Sequence, residues 1–328
     1  MYEQFFGLHE RPFDLTPNPR FIFWTSGHRE AFGNLEYGIT GHKGITLLLG
    51  EAGTGKTTLV RLMLDALKLG DCRAVFLNNP TLTRSEFVEY LAIHFGLSPE
   101  SRGSKARFLT DLERSVAERH AAGGVSTLIV DEAQSLPDEL LEEVRLIANL
   151  ETNSEKLLPV VLAGQPELSQ RLNQPAMRQL KQRVALRCEL TPLDLAGTAA
   201  YIGARIRVAG GDVSKVFTRR AIDLVYAASQ GIPRTVSVIC DNALIGAFAA
   251  NVRPVGEPIV REVCRDFDLE SASSSPPPEY DLPVVQHGSV LQLQSGPTPC
   301  QSAGAHERGR RSFFDFLNHR APIKAGEC

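Results

Sequence analysis

One eight-residue segment constrains the fold of this chain more than any other. Residues 50–57 read GEAGTGKT and satisfy the pattern G-x-x-x-x-G-K-[ST] at every fixed position. The apolar run before it, residues 44–49, predicts a buried strand, and the helical spacing of apolar residues over 56–69 predicts a helix after it. A strand, a glycine-rich turn and a helix in this order form the setting in which such a loop binds phosphate.

Each residue type in this phosphate loop has a physical task. Gly50, Gly53 and Gly55 allow the backbone to curl so that successive N–H groups face phosphate oxygens. We expect Lys56 to reach the β- and γ-phosphates and the Thr57 hydroxyl to coordinate Mg²⁺. The loop thus predicts ATP and Mg²⁺ as ligands. The candidate nucleotide-binding residues are Gly50, Glu51, Ala52, Gly53, Thr54, Gly55, Lys56, Thr57 and Thr58.

A second candidate site lies about 75 residues downstream, where residues 128–132 read LIVDE. Two adjacent carboxylates close a predicted buried strand there. Side chains alternate along a strand, so the two carboxylates must divide their roles where the chain turns. We expect Asp131 to hold Mg²⁺, directly or through water. We expect Glu132 to orient and polarise an attacking water.

Further polar residues are predicted to sense the nucleotide or complete the site. Gln165 follows a predicted strand, and its amide is placed to bond the γ-phosphate or the attacking water. Arg234 begins a helix in GIPR and is expected to reach the phosphates from a second domain. Arg183 is expected to project into a neighbouring subunit as an arginine finger, with Arg178 as the competing candidate.

The chain before residue 192 alternates between β-type runs and helical patterns, which implies an α/β fold with a parallel sheet covered on both faces. Beyond the two elements around the loop, strands are predicted over 73–77, 126–130, 157–163 and 184–190, and helices over 85–95 and 106–121. The later part predicts helices alone, over 193–209, 218–229, 234–249 and 258–267. We therefore predict an α/β ATPase core over 1–191 and a small all-helical lid domain over 192–270.

Residues 271–328 differ in composition from the rest of the chain. They are rich in Pro, Ser, Gly and Gln, and such a segment buries too little apolar surface to offset its chain entropy. We predict a disordered tail. Within it, the aromatic-basic motif over 308–320 has two interpretations: a short helix that docks on a partner or an anionic surface, or a frayed tail end.

Composition excludes several functional classes. Lys and Arg number 35 against 38 Asp and Glu, and the net charge of −3 disfavours a strongly basic nucleic-acid binder. No apolar run approaches the ~20 residues of a membrane-spanning helix, and no apolar leader begins the chain. The six cysteines show no CxxC spacing. Scattered thiols without an export signal predict a reducing, cytoplasmic location.

The motifs GEAGTGKTT, LIVDEAQ, GQPEL, QRV and GIPR, in this order, resemble those of the AAA+ ATPases. The N-terminal segments MYEQFFGLHERPF, TPNPRF and LEYGI extend the resemblance to the ExeA/GspA-type secretion ATPases, a group that includes ATPases of MSHA-pilus and exosortase loci. The resemblance covers about residues 1–269. It implies a P-loop sheet ordered 5-1-4-3-2, ATP hydrolysis to ADP and phosphate, dimer or ring assembly, and a place for residues 12–21 near the adenine. The positions that match the nucleotide-site motifs are Lys56, Thr57, Asp131, Glu132, Gln165 and Arg234.

The resemblance also has a departure. ExeA continues into a transmembrane helix and a periplasmic peptidoglycan-binding domain, which this chain does not match. We therefore expect the protein to act from the cytoplasm and to reach the inner membrane through a partner component of an export system.

Three functions remain open on the sequence. The first is an ATP-hydrolysing factor that energises or regulates assembly of a bacterial envelope secretion, pilus or polysaccharide-export machine. The second is a DNA-associated ATPase resembling transposition regulators; its modest basic set, Lys43, Arg102, Lys105 and Arg107, is outweighed by the overall charge. The third is a nucleotide-dependent scaffold with little turnover.

Overall fold

A computed structural model describes residues 1–16, 18–68, 70–78, 81–152 and 154–269. The tail predicted over 271–328, with its motif at 308–320, lies outside the described residues. In the described part of the chain, none of the helices is both long and apolar enough to span a bilayer.

Five parallel strands form one sheet in the order β2–β3–β4–β1–β5, which confirms the predicted order 5-1-4-3-2 read from the other edge. The strands are β1 (Ile45–Gly50), β2 (Cys72–Leu77), β3 (Val125–Val130), β4 (Val160–Gly164) and β5 (Val184–Leu190). Every residue of β1 and β4 is buried, as expected of parallel strands covered on both faces.

The fourth strand begins three residues later than the sequence predicts. Leu157 and Leu158 are buried, but the Leu157 amide bonds the carbonyl of Leu150, which lies in no strand. The first residues of the apolar run are therefore buried without being paired in the sheet. This distinction cannot be read from hydropathy alone.

Helices precede and connect the strands. They are α1 (Tyr2–Phe6), α2 (Ser26–Thr40), α3 (Lys56–Leu67), α4 (Arg84–His94), α5 (Lys105–Ala121), α6 (Asp138–Ile147), α7 (Pro166–Leu172) and α8 (Arg178–Lys181). Short 3₁₀ turns lie at Pro19–Phe21, Pro99–Arg102, Ala133–Ser135 and Pro175–Met177. Of these helices, α1, α2, α6, α7 and α8 were not predicted from the sequence, although α6 buries apolar residues at helical spacing.

The later part of the chain is helical, as predicted. Its helices are α9 (Leu195–Val208), α10 (Val213–Val216), α11 (Arg219–Ser229), α12 (Pro233–Ala249) and α13 (Glu257–Asp266). They enclose an apolar core separate from the one beneath the sheet. The N-terminal segment contributes Phe6, Phe13 and Phe21 to this second core, so the first residues of the chain pack with the last described helices.

Arg205 of α9 fastens the N-terminal segment to the helical part. Its guanidinium donates to the carbonyl of Pro12 at 2.5 Å and to that of Asp14 at 3.2 Å. It also donates to the Tyr201 hydroxyl at 2.9 Å and lies 5.2 Å from the ring centroid of Phe21, a cation–π contact. The N-terminal segment is thereby held where it borders the phosphate loop.

Candidate functional site

The predicted phosphate loop connects β1, an interior strand that lies between β4 and β5, to helix α3. Gly53 and Gly55 have φ angles of +84° and +104°, in the left-handed region that favours glycine. A Cβ atom at Gly50 would lie 2.7 Å from the carbonyl oxygen of Leu190. Backbone conformation and close approach to β5 thus explain the three glycines of the motif.

The Lys56 side chain lies inside this loop. Only 4% of the residue is exposed, and its ammonium donates to the carbonyls of Gly50 at 2.7 Å and Glu51 at 3.0 Å. Burial lowers the pKa of Lys56 below its usual range, and the nearby carboxylates of Glu132 and Asp131 oppose that shift. The loop therefore presents a buried cation at its centre.

Thr57 and Asp131 meet at the start of α3. The Thr57 hydroxyl donates to Asp131 Oδ2 at 2.7 Å. Asp131 is fully buried at the end of β3, and its Oδ1 accepts from the backbone amide of Glu132 at 2.9 Å. A hydroxyl and a carboxylate oxygen side by side are donors of the hard type that Mg²⁺ prefers. The donor set therefore fits the predicted ion.

Glu132 turns away from Asp131 because its backbone is left-handed, with φ 53°. Its carboxylate accepts from Gln134 Nε2 at 2.6 Å and from Gln165 Nε2 at 3.5 Å. Left-handed backbone is costly for a residue with a side chain and is concentrated at functional positions. The two adjacent carboxylates therefore face different partners.

Gln134 is a site residue that the sequence analysis missed. Its Oε1 accepts from the backbone amide of Gln165 at 3.1 Å, so one side chain connects Glu132 to the start of α7. Arg171 holds the same loop by donating to the carbonyls of Gln134 at 2.7 Å and Leu136 at 2.8 Å. The available signal was the polar residue two positions after Glu132 in LIVDEAQ.

Arg234 approaches the loop from the helical part. Its backbone amide donates to the carbonyl of Gly53 at 3.3 Å, and a Cβ atom at Gly53 would lie 2.8 Å from Arg234 Cβ. Arg234 and Glu132 line the same cavity as the loop. The geometry therefore places Arg234 beside the loop that it is predicted to sense.

Arg183 and Arg178 are both exposed and do not line that cavity. Arg183 directly precedes β5, and its carbonyl accepts from the amide of Ile45 at the start of β1. The phosphate loop follows the other end of β1, roughly 20 Å away at ~3.3 Å per residue. Neither arginine joins the phosphate loop of its own chain.

The cavity over the loop has a volume of about 460 Å³ and is lined by three parts of the chain. The N-terminal segment contributes Phe21, Trp24 and His28, and the helical part contributes Tyr201. His28 Nε2 donates to the carbonyl of Thr54 at 3.2 Å, and burial lowers its pKa. The apolar rings suit the base of a nucleotide, and the adjoining loop suits its phosphates.

A parallel sheet of this order, with the phosphate loop after β1 and a helical part against that loop, defines a P-loop NTPase of the AAA+ class. Residues 39–172 match the AAA domain family. Over 250 residues the chain is 44% identical to General secretion pathway protein A of Aeromonas hydrophila, covering 76% of this chain and 45% of that relative. The chain is thus an AAA+ protein whose sequence is similar to General secretion pathway protein A over 76% of its length.

Solved structures share the fold at low identity. The Aeropyrum pernix ORC2 protein, in its ADPNP–ADP complexes, matches with a TM-score of 0.56 and 18% identity, over 81% of this chain and 73% of that one. Drosophila ORC bound to DNA matches with a TM-score of 0.60 and 22% identity, over 80% and 65% of the two chains. These likenesses support the AAA+ architecture of both the sheet and the helices that follow it.

Proposed function

We propose that this protein binds ATP with Mg²⁺, hydrolyses it to ADP and phosphate, and uses the cycle to energise or regulate assembly of a bacterial envelope secretion, pilus or polysaccharide-export machine. The observation that carries the proposal is the 2.7 Å hydrogen bond between Thr57 and Asp131. It joins the phosphate loop to the acidic end of β3, so that phosphate and metal ligands share one site.

The chemistry follows from this arrangement. Lys56 and the loop amides bind the β- and γ-phosphates, and Thr57 and Asp131 hold the ion. Mg²⁺, when bound, neutralises charge on the phosphate oxygens. Glu132 polarises the attacking water, and Gln134 and Gln165 fix the direction of its carboxylate. The remaining residues of the phosphate loop contact the phosphates through their backbone.

The helical part is proposed to act as a lid. Arg234 contacts Gly53 through its backbone amide. When its guanidinium moves with the γ-phosphate, the position of α12 therefore changes. Arg183, or Arg178 as the alternative, is proposed to complete the site of a neighbouring subunit, because both are exposed and neither lines the cavity of its own chain. This arrangement favours an ATP-dependent homo-oligomer, a dimer or a ring.

The envelope role is supported by the likeness to General secretion pathway protein A, of which the chain spans 45%. We propose a cytoplasmic protein that is peripheral at the inner membrane through a partner component of the export system. The proposed organisation is an ATPase core over 1–191, a lid over 192–270 and a tail over 271–328.

Nucleotide binding tests the site. The full chain is titrated with a fluorescent ATP analogue, and Lys56→Ala is expected to weaken binding by about 10- to 100-fold, the value of charge-assisted hydrogen bonds of ~1.5–3 kcal/mol. Lys68→Ala is the matched control, because Lys68 forms an exposed ion pair with Asp65 just after α3. Equal affinities for the two variants would exclude the assigned role of Lys56.

Membrane recruitment tests the envelope role. In the presence of ATP, the Glu132→Gln variant is expected to remain bound to inner-membrane vesicles that contain the export components. When ADP replaces ATP, the variant is expected to dissociate from these vesicles. Vesicles without those components serve as the control. If the protein binds neither kind of vesicle but binds duplex DNA with steep salt dependence, the DNA-associated function replaces the envelope role.

A further inference from the structure

A second cluster of ligand-type side chains lies at the end of the sheet opposite the phosphate loop. His42 follows α2, His120 lies in the last turn of α5, and Glu155 lies in the segment that leads to β4. One ligand atom from each falls within 4.8 Å of the other two. His120 Nε2 and Glu155 Oε2 are 3.4 Å apart, and the two imidazole rings meet edge to face with their centroids 4.8 Å apart.

These separations fit a tetrahedral metal. Bond lengths of ~2.0–2.2 Å from Zn²⁺ to imidazole nitrogen and carboxylate oxygen place neighbouring ligands about 3.4 Å apart. The pair His120–Glu155 already has this separation. The remaining pairs lie within 4.8 Å and need to approach by at most about 1.4 Å, which rotation of a half-buried imidazole and an exposed carboxylate supplies.

The orientation of His42 is fixed in the way that metal-binding histidines usually are. Its Nδ1 donates to the carbonyl of Lys156 at 2.8 Å, which leaves Nε2 as the available ligand atom. The backbone of His42 is left-handed, with φ 52°, a conformation that glycine or asparagine adopts at lower cost. A strained backbone and an outer-shell carbonyl both set the direction of this imidazole.

Two neighbouring lysines are engaged elsewhere. Lys156 forms an ion pair with Glu151, and the Lys43 ammonium lies 5.2 Å from the ring centroid of Tyr37. Two imidazoles and one carboxylate are a donor set for Zn²⁺ and its transition-metal neighbours, whereas Mg²⁺ and Ca²⁺ prefer oxygen ligands alone.

We propose that His42, His120 and Glu155 bind a divalent transition metal, with Zn²⁺ as the expected ion and water in the fourth position. The metal joins the turn before β1, the end of α5 and the segment before β4. This site is separate from the nucleotide site and does not depend on ATP binding or hydrolysis.

Zinc affinity of the full chain tests the proposal. After treatment with a chelator, wild type, His120→Gln and Glu155→Gln compete for Zn²⁺ with a chromophoric chelator. Wild type is expected to bind one more equivalent of Zn²⁺ than either variant, or to bind that equivalent at least about 100-fold more tightly. The bound follows because removal of an outer-shell group alone lowers metal affinity 10- to 100-fold. His94→Gln is the control, since this exposed imidazole donates to the Tyr90 carbonyl and stacks on the Tyr90 ring.

A third variant keeps the test independent of folding. His42→Asn removes the imidazole and introduces a residue that tolerates the left-handed backbone. Binding of the fluorescent ATP analogue by each variant reports that it is folded. The proposal is overturned if the three variants fold and bind Zn²⁺ with the stoichiometry and affinity of wild type, which would leave an ordinary His120–Glu155 ion pair.

Discussion

The contact between the helical part, the proposed lid, and the phosphate loop depends on the absence of a side chain at Gly53. A Cβ atom there would lie 2.8 Å from Arg234 Cβ and 3.0 Å from Ile232 Cγ2. Gly53→Ala therefore has two costs: about 1–2 kcal/mol for a left-handed residue with a Cβ, and about 1–3 kcal/mol for forcing the lid away. The expected loss in free energy of unfolding is about 2–5 kcal/mol.

Gly123→Ala separates these costs. Gly123 has φ +82°, against +84° at Gly53, and a Cβ atom there would meet nothing within 4 Å. It carries the backbone cost alone, so Gly53→Ala is expected to lose about 1–3 kcal/mol more. Urea unfolding followed by fluorescence of Trp24, the single tryptophan, measures both. Equal losses in the two variants would refute the lid contact at Gly53.

Three further outcomes follow from individual contacts. Gln134→Ala is expected to slow ATP turnover by about 10- to 100-fold with unchanged nucleotide affinity, since it removes a hydrogen bond of ~1.5–3 kcal/mol to a charged group; an unchanged turnover rate would remove Gln134 from the site. Burial lowers the pKa of His28 below its ordinary 6.5, so as pH falls below that value the unfolded chain binds more protons and stability declines. His28→Gln is expected to lose less free energy of unfolding than wild type between pH 7 and about pH 5.5, and parallel curves would contradict this. Arg205→Gln is expected to release the N-terminal segment, seen as cleavage before residue 21 by a protease about 10-fold faster or more, whereas equal cleavage would show that other contacts hold the segment.

The sheet and the phosphate loop could be predicted because their signals are local. Residues 44–57 contain the strand, the glycines and the helix start within one short segment, and the acidic pair closes an apolar run. The strand order came from the resemblance to a known family, since hydropathy gives the elements of a sheet but not their order.

The remaining features depend on residues far apart in the chain. Arg205 and Pro12 are 193 positions apart, and no periodicity connects them. Gln134 accepts a hydrogen bond from the backbone amide of Gln165, which is 31 positions away. His42 and His120 meet only because the turn before β1 and the end of α5 share one end of the sheet. Such contacts are set by tertiary packing, which local patterns do not encode.

Glu132 is proposed to activate the water that attacks ATP held by the phosphate loop. Single-turnover formation of ADP from bound Mg²⁺–ATP tests it most directly, with the full-length wild type, Glu132→Gln and the exposed control Glu139→Gln. Glu132→Gln is expected to bind ATP with wild-type affinity and to form ADP at least ~100-fold more slowly, the usual loss for a general base, while Glu139→Gln is expected to match wild type. ADP formation by Glu132→Gln at the wild-type rate would contradict it.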